Sequence, residues 1–350
     1  MNDIKDLFKR FELGNQTWSD YEKLLKLDNR ELETILNLAY KVKKRKFGNL
    51  LKIYIPNKRF PAISITGSEC SLHCEHCNKK YLKDMKPILN NSELKSYLLK
   101  LYKNDGIGVL ISGGCLPDGS VPLLNFLDTI KEIKKKTNLI INAHTGLLSE
   151  ETAKKLALVG VDIVSFDVTM DKDIINNIYH LNKDIDDYKK AISFMQKYGI
   201  NIVPHICIGL FYGKIHKELE TIKFLKESGL NPSLIVLIAL IPPNNSENNF
   251  LRPQPSDIAK ISAITRFVYP DTEISLGCMR PRGEVKLEIE KYAIKAGINR
   301  IEIPSKNTLK WVKNYDPEVF FNFFSACCAI PDKFEKYAES KDSDLKNYKI

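Results

Sequence analysis

Cys70, Cys74 and Cys77 fall within eight residues of a 350-residue chain, in the order C-x3-C-x2-C, directly after the apolar run "AISI". A tetrahedral structural zinc site takes four protein ligands, whereas a four-iron cluster held by three thiolates leaves one iron open to an outside ligand. The spacing therefore points to an iron–sulfur cluster with a vacancy, and a zinc knuckle or incidental thiols are the simpler alternatives. The chain holds eight cysteines in all, among them Cys115, Cys278 and the adjacent Cys327 and Cys328. They sit at loops rather than spreading as a disulfide framework, so metal or redox chemistry is the better account.

Other polar residues stand at the ends of apolar runs. "ISGGC" carries Ser112, Gly113, Gly114 and Cys115, and glycines there let the backbone approach a ligand. "INAHTG" carries Asn142 and His144; "VSFDV" carries Ser165 and Asp167, with Thr169 just beyond. An aspartate pointing inward from an apolar strand is costly without a partner, which favours a functional role for Asp167. His144 reads equally well as a hydrogen-bonded structural histidine. "SLGCMRPRG" places Arg280 and Arg282 beside Cys278; a guanidinium fork suits carboxylates, and a surface ion pair explains either one alone.

The elements that position these residues follow from rhythm. From Pro61 onward eight short apolar runs, at 62–66, 107–112, 139–143, 161–168, 200–207, 233–240, 273–277 and 300–304, alternate with segments of helical period. The helical segments lie at 92–102, 121–135, 149–158, 185–197, 217–228, 256–267 and 284–295. The α/β pattern spells a (β/α)8 TIM barrel over 61–304, whose active site forms at the C-terminal ends of the strands. Residues 1–60 read as an N-terminal helical extension, with strand rhythm only in "LLKIYI", packing across the barrel's bottom or side. Residues 305–350 form a C-terminal segment; folded over the barrel mouth, it brings Cys327 and Cys328 toward Cys115 and Cys278 as a second cluster. Buried, unreactive thiols are the alternative.

At 43% hydrophobic residues the chain can bury a large core. No apolar run reaches the roughly 18 residues of a membrane span, and no secretory signal stands at the start, so the chain reads as cytoplasmic without membrane association. Its net charge of +10 is spread over helix faces such as "KEIKKKTN", with no interleaved basic and aromatic patch, so no nucleic-acid partner is expected.

The cysteine motif after the first strand resembles that of the radical S-adenosylmethionine (SAM) superfamily, and residues 30–304 are similar to biotin synthase. The resemblance implies a [4Fe-4S] cluster on Cys70, Cys74 and Cys77 whose open iron chelates SAM, and a 5′-deoxyadenosyl radical on one-electron reduction. It places His76 against the adenine, and Ser112, Gly113 and Gly114 at the methionine amino group, with Cys115 where the family has an acid. Asp167, and after it Thr169, fall to the ribose, and His144 to cofactor or substrate. "HICIG" matches the adenine segment through His205, Ile208 and Gly209, with Cys207 at its apolar position and discounted as a ligand. Cys278 takes the position of an arginine that ligates the auxiliary cluster of biotin synthase, whose cluster cysteines are not matched here.

Together "ISGGC", "VSFDV", "PHICIGL", "SLGCMRPRG" and the late "CC" resemble the biotin-synthase-related radical enzymes of archaea, including the paired archaeal-type lipoyl synthases. That implies sulfur insertion at C6 or C8 of a protein-bound octanoyl chain, with an auxiliary [4Fe-4S] cluster on Cys115, Cys278, Cys327 and Cys328 as sulfur donor. The implied partners are an octanoylated lipoyl carrier protein or domain, a second related synthase chain, and a low-potential electron donor such as ferredoxin. The alternatives are another biotin-synthase-like radical reaction, such as methylation or ring formation, and a non-catalytic iron–sulfur or zinc protein.

Overall fold

Every apolar run from residue 62 to 304 forms a strand, and all of them pair in parallel. The computed structural model describes residues 2–243 and 249–345. Three helices open the chain: α1 (Asn2–Leu13), α2 (Trp18–Leu25) and α3 (Asn29–Phe47), and then comes β1 (Leu50–Tyr54). The repeated units follow as β2 (Ala62–Ser64), β3 (Lys86–Pro87), α4 (Asn91–Lys103), β4 (Gly108–Ser112), α5 (Leu127–Lys136), β5 (Ile140–His144) and α6 (Glu150–Val159). They continue with β6 (Ile163–Asp167), α7 (Ile185–Lys197), β7 (Ile202–Ile208), α8 (Glu218–Glu227), β8 (Leu234–Ala239) and α9 (Pro255–Val268). The series ends in β9 (Glu273–Leu276), α10 (Val285–Lys295), β10 (Arg300–Glu302), α11 (Lys306–Tyr315), β11 (Phe320–Phe324) and the short α12 (Glu335–Ala338). Helix boundaries have local causes: the Ser149 hydroxyl accepts the Thr152 N–H at 3.2 Å to start α6, and Gly160 ends it at φ +80°.

Two expectations are corrected. The sheet has eleven strands in the order β11-β1-β10-β9-β8-β7-β6-β5-β4-β2-β3, and among the described residues no ladder joins its two edges. The (β/α)8 unit is therefore a curled parallel sheet with an open side rather than a cylinder closed by hydrogen bonds. β1, the lone strand-like run of the N-terminal extension, pairs between β10 and β11, while α3 packs outside the sheet on α9 and α10.

The segment after β11 lies inside rather than over the mouth. Phe324, Ala326, Cys328, Ala329 and Ile330 belong to one apolar cluster with Ile140, Ile163, Val203 and Leu234, which point inward from the sheet. Glu335 ties the segment to β1 and β10 through Lys52 Nζ at 2.9 Å, the Tyr54 hydroxyl at 2.5 Å and Arg300 Nη2 at 2.9 Å. On the other side Arg59 Nη1 reaches the Glu339 carbonyl at 3.4 Å, and Lys341 pairs with Asp105. The physical reason is that an open sheet would leave its inner face wet, and this segment fills the gap.

Candidate metal centres and their shared cavity

The strand ends surround a cavity of about 450 Å³ with mainly apolar walls. Cys70, Cys74 and Cys77 enter it on the loop after β2, folded by turn bonds from Cys77 N to Cys74 O at 3.1 Å and from Lys80 N to Cys77 O at 3.0 Å. Burial, and then the charge of Cys77 and Cys70, pushes the Cys74 thiol up to about 12; burial raises Cys77 as well. Cys74 and Cys77, each raised by burial and by a neighbouring thiolate, ionise more readily beside a compensating cation. The donor set fits an iron–sulfur cluster better than one zinc ion.

The end of β4 is stitched to this loop. Gly114 N donates to Thr66 Oγ1 at 2.7 Å, and Ser71 N to the Cys115 carbonyl at 2.8 Å. A β-carbon on Gly114 would lie 2.0 Å from the Glu69 carbonyl oxygen and 2.5 Å from Cys70 Cβ, so only glycine allows this approach. The same contact corrects the assignment of Cys115. Its thiol and its N–H both donate to Cys70 Sγ, the N–H at 3.2 Å, lowering Cys70 and raising Cys115. Cys115 belongs with the first set of thiols, not the second.

Asp167, at the end of β6, faces the cavity with His144 Nε2 at 3.2 Å. Burial alone would raise its carboxyl, but His144, His205 and His76 bring it down to about 2. Burial holds His205 and His76 at about 4, so both imidazoles are neutral near pH 7. His205 Nδ1 lies 3.0 Å from the Val203 carbonyl, which assigns its proton there and leaves Nε2 as an acceptor. Asn142 is fully buried; its oxygen accepts Ser165 Oγ at 3.0 Å while its Nδ2 has no partner among the described residues, an unused donor in the cavity wall that fits a polar cofactor. Ser112, Gly113, Gly114, His76 and His144 also line the cavity, as do Tyr179 and Tyr188, which sequence reasoning missed.

Three expected cofactor residues stand elsewhere. Side chains alternate along β7, so His205 and Cys207 line the cavity while Ile206 and Ile208 pack in the core outside the sheet. Gly209, at φ +74°, turns the chain where a β-carbon would meet Pro253 at 2.6 Å. Thr169 opens on a smaller side recess with Asp171, Glu218 and Thr221, its hydroxyl accepting Asp171 N at 3.2 Å.

A second set of acids borders the same cavity. Cys278 follows β9, Cys327 and Cys328 follow β11, and Glu302 ends β10. A carboxylate oxygen of Glu302 and the sulfurs of Cys327 and Cys328 lie within 4.8 Å of one another, and Cys278 also hydrogen-bonds Glu302. Glu302 was not legible as a site residue; its only signal is an acid at the end of the last barrel strand. Arg280 holds this corner together instead of binding a ligand carboxylate. It is 2% exposed, meets Glu290 at 2.5 Å and donates to the carbonyls of Gly277 at 2.5 Å and Glu302 at 2.7 Å. Arg282 is exposed. Glu302 and Cys328 are buried and Cys278 and Cys327 half-buried; acids gathered in this way need protons or a metal cation, and the thiol-rich set fits iron.

Residues 64–225 match the radical SAM superfamily. The match supports a radical SAM enzyme related to the biotin synthases, which implies a [4Fe-4S] cluster and SAM. A biotin synthase of Nocardioides sp. is 26% identical over 278 residues, 75% of this chain and 69% of that protein. The [FeFe]-hydrogenase maturase HydG from Carboxydothermus hydrogenoformans superposes with a TM-score of 0.70 at 16% identity, covering 95% of this chain and 82% of that one. Methylornithine synthase (PylB) gives 0.58 at 18% identity, covering 85% of each chain. At such identities the structural likeness is one of fold. Among the described residues no helix is long and apolar enough to cross a membrane.

Proposed function

We propose that this enzyme inserts sulfur into an unactivated C–H bond of a protein-bound octanoyl chain, at C6 or C8. The observation that carries the reading is that two separate sets of thiols, Cys70, Cys74 and Cys77 on one loop and Cys278, Cys327 and Cys328 from two others, line one cavity. The first set would hold the cluster that binds SAM; the second would hold an auxiliary [4Fe-4S] cluster as sulfur donor. When bound, the first cluster and SAM supply a 5′-deoxyadenosyl radical, which a saturated carbon requires because it offers no acidic proton or electrophilic centre.

The protein's own share is positioning and dryness. Asp167, ionised between its histidines, suits the ribose hydroxyls, and the free Asn142 amide and the His205 acceptor suit other polar edges of the cofactor. Apolar walls from Leu110, Val236, Ile238 and Leu240 suit a hydrocarbon chain and exclude water from a reactive radical. The octanoylated lipoyl carrier would dock at the cavity rim, a second related synthase chain would take the other carbon, and a low-potential donor such as ferredoxin would supply the electron.

The test is anaerobic reconstitution followed by product analysis with an octanoylated carrier peptide. The expected result is SAM cleavage coupled to a thiolated octanoyl product. Cleavage with no thiolated product, with or without a related chain present, would overturn sulfur insertion. It would favour another biotin-synthase-like reaction, such as methylation or ring formation.

A further inference from the structure

We propose that Glu302 is a ligand of the second metal centre, adding one carboxylate oxygen to the sulfurs of Cys278, Cys327 and Cys328. The proposal rests on the reading that these thiolates hold a centre at all. Its basis is what surrounds the carboxylate. Glu302 is the last residue of β10 and is 4% exposed; its neighbour Ile301 faces the outer core, so Glu302 faces inward. It shares a space of 4.8 Å with the Cys327 and Cys328 sulfurs, touches the Cys278 thiol, and accepts the Cys328 N–H at 3.3 Å.

No described lysine or arginine forms an ion pair with it. The nearest guanidinium, that of Arg280, is taken up by the Glu290 carboxylate and by the carbonyls of Gly277, Glu302 and Ile303. A carboxylate in this position is stable as a proton carrier or as a metal ligand, and a purely structural acid has no reason to be ringed by three thiols. Arg280 also fixes the arrangement, because it joins the turn that carries Cys278 to the strand that carries Glu302.

The mixed donor set has a chemical consequence. A carboxylate oxygen is a harder ligand than a thiolate and holds iron in a sulfide cluster less firmly. The iron on Glu302 is therefore the one most open to exchange with another ligand, while the three thiolates anchor the rest.

The test separates this proposal from the reading it rests on. The first centre is removed by Cys70→Ala, Cys74→Ala and Cys77→Ala together, and the variant is reconstituted anaerobically with iron and sulfide. Protein labelled with ¹³C at glutamate carboxyls is then reduced and measured by electron–nuclear double resonance, with Glu302→Gln as the assignment control. The expected result is a ¹³C coupling that disappears in Glu302→Gln, and iron fully retained in Glu302→Cys. Iron bound with an identical spectrum in Glu302→Gln overturns the role of Glu302 alone. No iron in the triple variant, with its fold confirmed by circular dichroism, overturns the second centre itself. If the triple variant does not fold, the same labelled measurement on the wild-type chain decides, using the Glu302→Gln difference spectrum.

Discussion

Asp167 and His144 hold each other's charge, and the sign of that coupling can be measured. Burial lowers His144, but the charge and hydrogen bond of Asp167 outweigh it, so its pKa lies above the ordinary 6.5. In metal-free protein, Asp167→Asn should drop His144 below 6.5, read by NMR titration of the ring protons; an unchanged titration would sink the pairing. The native pair adds stability at pH values below about 6.5 that fades as pH rises through the raised value of His144. Gly114→Ala should cost about 1–3 kcal/mol and displace the Cys70 loop, since its β-carbon would meet backbone. Iron content and SAM cleavage should fall together. Cys278→Ala should instead abolish thiolation and leave SAM cleavage intact. At this scale the sequence was legible wherever spacing along one loop carries the information, as in Cys70, Cys74 and Cys77. It was not legible where strands far apart in sequence meet: Cys115 beside Cys70, and Glu302 among thiols from two other turns. Ile208 was misplaced because a family frame does not say which face of a strand a residue occupies, whereas the alternation along β7 does.

Arg300 joins two elements that sequence reasoning could not bring together, β10 and the segment after β11. It is fully buried, donates to Glu273 at 2.6 Å and to the carbonyls of Cys328 at 3.4 Å and Ile330, and pairs with Glu335. Arg300→Met should leave the half-buried Glu273 and Glu335 with Lys52 as their remaining cation among the described residues, at a cost of about 3 kcal/mol. It should also release the second centre while the first keeps its iron, as measured by urea unfolding and iron analysis. The eight strand runs and their helices were readable because buried parallel strands and amphipathic helices have strong periods. β11, "FFNFF", and β1, "LLKIY", lie outside the repeat, and pairing between chain ends leaves no local signature. The curled, open sheet follows from those two strands, which is why a closed barrel was the natural but mistaken expectation.

For the molecule as a whole, the two proposed centres on one cavity predict about eight irons per reconstituted chain, falling to about four without the loop thiols. The net charge of +10 predicts that carrier docking weakens as salt rises from about 0.05 to 0.5 M, seen as a rising KM for the carrier with kcat little changed. A salt-independent KM would remove charge from the docking account. The interior position of the segment after β11 also sets a timetable. A ribosome working at about 5–20 residues per second makes Cys327 about 250 residues, or roughly 12–50 seconds, after Cys77. During synthesis the first loop is available to iron while the cavity still lacks its floor. The proposed second centre would have to wait for that floor, so the order of the chain itself would stagger the filling of the two sites.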